Sequence, residues 1–227
     1  EKDDYFNDLR LFNVTVLNSS NDYTWTDEDL QIMKSAFSRW EEIIISHPTG
    51  KKINVDLDIK TLGTNVLGSA TFTEWELIDP NGEAVYGNVA VTSGFFQISD
   101  IEITDLKNTS HQDENGVSNT QLYYITVHEI GHVLGIGTMW LTYRAPTDNT
   151  NDGSRFYVNE NGFREYRKYF AHYGKIMFLP IEDDGGTGTA NGHPEEGDHQ
   201  MIDNGPHISR DDRTYDGIFH PGLNSEI

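Results

Sequence analysis

The sequence predicts an α+β fold: a twisted sheet with one backing helix and a second, histidine-bearing helix, followed by a mostly irregular C-terminal lobe. Two periodicities and one change of character predict it. Several short runs alternate apolar and polar residues as half-buried strands do, and one long run repeats every three to four residues as an amphipathic helix does. From Gly137 onward both patterns fade into chain rich in Gly, Asn and Asp that holds five of the seven prolines. The boundary is therefore expected just after the second helix, between an N-terminal subdomain of residues 1–136 and a C-terminal subdomain of residues 137–227.

The elements follow in order. "LRLFNVTVL" (9–17) alternates as a strand, and "NSSND" after it marks a loop. Thr26 with Asp29 three residues on opens a helix in the manner of a capping box, with Asp in place of Glu or Gln. Leu30, Met33, Phe37, Trp40 and Ile44 then fall on one helical face, which reads as core. "KINVDLDIKTL" puts Ile53, Val55, Leu57 and Ile59 on one face of a second strand. "VLGSATFTEWELI" and "EAVYGNVAVTS" are further strands around the turn dipeptide Asn81-Gly82, and the segment 85–92 is expected to be the open edge of the sheet. The polar stretch 108–120 reads as a surface loop. "NTQLYYITVHEIGHVL" is the second helix, capped by Asn119 or Thr120 and stopped at Gly135. Beyond it only "GFREYRKYFAHYG" (162–174) has helical spacing.

A chain of 227 residues can bury a full core. Its formal charge of −21 repels phosphate backbones and anionic membrane surfaces, which argues against nucleic acid as a partner. No run is long and apolar enough to span a membrane. With no cysteine there is no disulfide framework, no thiolate ligand and no nucleophilic thiol, so any metal must be held by His, Asp or Glu. The opening "EKDDYFNDLR" has neither an initiating Met nor an apolar signal core, as expected of a secreted or extracellular protein whose targeting segment has been removed. Acidic, oxygen-rich loops leave calcium open as a second cation, although "TDNTNDG" (147–153) lacks the EF-hand spacing and reads as a solvated loop. "DDGG" (183–186) reads as a turn. Trp140, Tyr143 and Tyr215 suit either a small core or a substrate pocket.

The chemistry concentrates in "HEIGH". On a helix, His128 and His132 lie one turn apart on one face and can point imidazole nitrogens at a single zinc ion. Glu129 sits at the side of that face, placed to act as general base on a water rather than as a ligand. A chance HExxH would not also fall on a capped helix with Leu122, Ile125, Ile130 and Val133 or Leu134 along its back. A catalytic zinc needs a third protein ligand. In the short HExxHxxGxxH pattern Gly135 holds the place of the glycine, but Thr138 stands where the third histidine belongs. The third ligand must then come from His172, His193, His199, His207 or His220, or from Glu160 or Glu165. His47 and His111 read as surface or capping residues.

"HEIGHVLGIGTMW", followed after a long insertion by "LPIEDDGGTGTANGH", resembles the leishmanolysin family of metzincin proteases, above all its bacterial, cysteine-poor members. The "DLQIMKSAFSRWEEII" helix ahead of the sheet is similar as well. The resemblance covers residues 9–201 and implies a metzincin-like zincin fold with an inserted segment between the glycine and the third histidine. It implies His193 as that histidine and Met201 as the Met-turn beneath the metal. Pro194 stands where the family often has an aromatic residue.

Together these features lead to the expectation of a zinc-dependent endopeptidase acting on protein or peptide substrates. His128, His132 and His193 would hold zinc and Glu129 would serve as general base. Two alternatives remain: a zincin with Glu160 or Glu165 as third ligand, and a non-catalytic binding module that keeps zinc for structure.

Overall fold

The computed structural model describes residues 2–63, 66–85, 87–112, 116–140, 147–149, 155–157, 164, 179–181 and 192–193. The fold is α+β. Contacts divide the chain into two compact units, Glu1–Ile136 and Gly137–Ser225.

In the first unit a 3-10 turn (Lys2–Phe6) leads to β1 (Phe12–Val16), α1 (Asp27–Ile43) and β2 (Ile53–Lys60), followed by β3 (Gly68–Leu77) and β4 (Val89–Ser99). β1 and β2 are neighbours and parallel, which requires a crossover between them, and α1 lies in that connection. α1 starts as its sequence implies. Thr26 accepts from the Asp29 N–H at 3.2 Å and the Asp29 carboxylate accepts from the Thr26 N–H at 2.8 Å, so both halves of the capping box form. Leu30, Met33 and Phe37 are buried, and Phe37 meets the rings of Phe12 and Phe6 edge to face at 5.1 and 5.6 Å.

The sheet runs β1-β2-β4-β3, with β4 parallel to β2 and antiparallel to β3. This corrects the expected edge. The segment 85–92 leads into β4, which pairs with both β2 and β3 from Ser93 on; Val89, Ala90 and Val91 pair with β3 alone, and β3 is the terminal strand. Alternation marks a residue as half-buried in a strand but carries no information on which strand pairs with which. β3 fits an edge: its residues are all half-buried or exposed, and its register shifts between Phe72 and Trp75.

α2 (Ile103–Asn108) ends where the stretch expected as a loop begins, and that stretch holds a short hairpin of β5 (Ser110–Gln112) and β6 (Ser118–Thr120). Its residues are polar on both faces, so no alternation announces it. α3 (Gln121–Val133) follows directly, capped by Thr120, whose hydroxyl accepts from the Tyr123 N–H at 3.3 Å. His47, expected as a surface or capping residue, is buried and bridges the Val91 carbonyl at 2.8 Å and the Thr49 hydroxyl at 2.9 Å.

In the second unit, β7 (Thr147–Asn149), β8 (Arg155–Tyr157) and β9 (Leu179–Ile181) form an antiparallel three-stranded sheet in that order, with Met139, Trp140 and Ile181 buried. The expected 162–174 helix lies, apart from Arg164, outside the described residues. Among the described residues no helix is long and apolar enough to cross a membrane.

Candidate metal centre

α3 carries the chemistry, and its back face seats it. Leu122, Ile125, Ile130 and Val133 are fully buried. Gly94 of β4 admits the helix closely, since a Cβ there would lie 2.8 Å from Val133 Cγ1. From α1, the Trp40 indole donates to the Val127 carbonyl at 2.9 Å, and its ring lies against Gly131. The turn of helix that bears both histidines is therefore gripped by α1 on one side and by the sheet on another.

His128 and His132 face each other with their Nε2 atoms 3.0 Å apart. Two nitrogens at that separation can both lie about 2.0–2.1 Å from one point, the distance a zinc–imidazole bond requires. The tautomer of His132 is set from behind. Its Nδ1 lies 2.9 Å from the Ile136 carbonyl, which only accepts, so Nδ1 carries the hydrogen and Nε2 presents its lone pair.

That carbonyl is delivered by the way the helix ends. Gly135 adopts φ 95°, the Ile136 N–H returns to the Gly131 carbonyl at 2.9 Å, and the Gly135 N–H returns to the His132 carbonyl at 3.1 Å. These two bonds make a Schellman motif, which favours glycine at this position. Gly135 signalled the helix stop in the sequence; its second consequence, the backing of His132 by the Ile136 carbonyl, had no signal there.

Glu129 is 3% exposed. Burial pushes its carboxyl up to about 8. No described residue gives that carboxylate a hydrogen bond or an ion pair. Gly68, the first residue of β3, lies against it: a Cβ at that position would be 2.8 Å from Glu129 Oε1.

In the second unit Gly137 and Gly192 touch so closely that a Cβ on Gly137 would overlap the Gly192 carbonyl. His193 follows Gly192 directly. His128 and His132 belong to the first unit and His193 to the second. Neutral imidazole is a ligand that suits zinc, as it also suits copper, iron and nickel. Met201, His172, His199, His207, His220, Glu160 and Glu165 lie outside the described residues, as do Tyr143, Tyr215 and residues 183–186.

No protein-family model matches the chain, and no curated protein matches it.

Proposed function

We propose that the protein is a secreted zinc-dependent endopeptidase with a metzincin-like zincin fold of the leishmanolysin type. The observation that carries this reading is the pair of His128 and His132 Nε2 atoms converging at 3.0 Å beside a buried Glu129 to which no described residue gives a hydrogen bond or ion pair. A purely structural metal site has no use for such a carboxylate, whose burial costs free energy without compensation.

In this reading His128, His132 and His193 hold the metal as neutral imidazoles, and Met201 forms the turn beneath it. Zinc there supplies Lewis acidity, acidifying water and polarising a peptide carbonyl. Glu129 takes the proton from the attacking water and returns it to the leaving amine, serving as base and then as acid. A carboxyl that burial raises to about 8 holds a proton readily, and a cation beside it draws that value back down. β3 offers its open edge to an extended peptide, which would pair with it backbone to backbone. The first residue of that same strand abuts Glu129.

Two variants test the reading side by side. Glu129→Gln should retain zinc and lose cleavage of casein or a peptide library, whereas His193→Ala should retain less zinc than the parent. Casein cleavage by Glu129→Gln at the parent rate would exclude the mechanism, and full zinc occupancy in an active His193→Ala would move the third ligand elsewhere.

A further inference from the structure

Gly68 is the first residue of the edge strand and lies outside the HEIGH motif, yet it touches the atoms that motif uses. A Cβ built on it would sit 2.8 Å from Glu129 Oε1, 3.1 Å from Cγ and 3.2 Å from Cδ. Real side chains do not approach so closely, so one of the two partners must give way. The backbone at this point is tied down. Gly68 is paired with Ile98 of β4, which is fully buried, and the Ser99 N–H donates to the Leu67 carbonyl at 3.0 Å. The Glu129 carboxylate, by contrast, is held by no hydrogen bond or ion pair from any described residue. Among the described residues it is packing that places it, and the bare backbone of Gly68 is one of the surfaces it packs against.

We propose that Gly68 is a positioning residue for the general base: the missing side chain lets Glu129 rest directly on the start of β3, and any side chain there pushes the carboxylate off its working position. The proposal rests on the peptidase reading for its kinetic consequence but not for its structural one. Gly68 shows no left-handed backbone angle, so alanine is accommodated by the strand itself.

The test is a graded series, Gly68→Ala and Gly68→Val, with Gly63→Ala as control, where an added Cβ makes only an ordinary 3.6 Å contact with Val66. In the zinc-loaded protein, Gly68→Ala should lower kcat about 10- to 100-fold, the scale of loss for a catalytic group displaced by up to about 1 Å. KM, zinc content and the thermal midpoint should stay at the parent values. Gly68→Val should lose more, and Gly63→Ala should match the parent. Crystal structures of parent and Gly68→Ala should show the Glu129 carboxylate shifted away from β3. A parent-like kcat in Gly68→Ala, or a loss confined to KM, would overturn the proposal. If the parent itself cleaves no peptide, the peptidase reading fails; the crystal comparison then decides alone, and an unmoved carboxylate overturns the positioning role.

Discussion

Two helices of the first unit each bury a carboxylate, and they treat it in opposite ways. Asp29 of α1 is fully buried and fully employed. Its Oδ2 accepts from the Thr26 N–H at 2.8 Å and the Tyr23 hydroxyl at 3.0 Å, and Lys107 of α2 pairs with Oδ1 at 2.9 Å. Burial works against the Lys107 charge, but the bonds to Asp29 and Tyr23 outweigh it and leave its pKa raised. Glu129 of α3 is equally buried, has none of these partners, and is pushed up to about 8 by desolvation. The first arrangement locks α1 to α2. The second keeps a proton-accepting group in a dry site at the fold's expense, the pattern expected where chemistry rather than stability sets the residue.

That contrast is open to attack from both sides. The largest effect belongs to Glu129: Glu129→Gln should cost about 10³ in kcat while the thermal midpoint does not fall, because no described residue gives this buried acid a hydrogen bond or ion pair to lose. A clear loss of stability in that variant would show that Glu129 is structural after all. Next comes the partnered acid. Lys107→Met strands the Asp29 charge and should cost about 3 kcal/mol in denaturant unfolding, with kcat per folded molecule unchanged. A cost near zero would mean that the pair holds nothing together. The smallest effect tests the link between helix end and ligand. Gly135→Ala forces a side chain into φ 95°, which should cost about 1–2 kcal/mol. It should also weaken zinc about tenfold in competition with a chromophoric chelator, through the Ile136 carbonyl behind His132.

Much of this was legible from local patterns. Thr26 with Asp29 announced the α1 cap, Thr120 and Gly135 bracketed α3, and the four-residue spacing of His128 and His132 implied one face. Each of these is a contact made within a few residues along the chain, where spacing alone determines geometry. Contacts between distant segments were not legible. Alternation identified strands but placed the edge at 85–92 instead of at β3, and nothing about Gly68 in "VLGSATF" told of Glu129 sixty-one positions away. His47 was hidden for the same reason, because it lies between α1 and β2 while its partner carbonyl on Val91 belongs to β4. The two-residue convergence at α3 follows from helix geometry, whereas the proposal of His193 as third ligand depended on resemblance.

The most direct measurement is peptide hydrolysis by the purified protein as its zinc is removed and restored. The account predicts about one zinc per chain, in line with a three-histidine site, loss of cleavage on chelation, and recovery on adding back a single equivalent. Cleavage that persists in the zinc-free protein, or a zinc-loaded protein that cleaves no peptide, would contradict it.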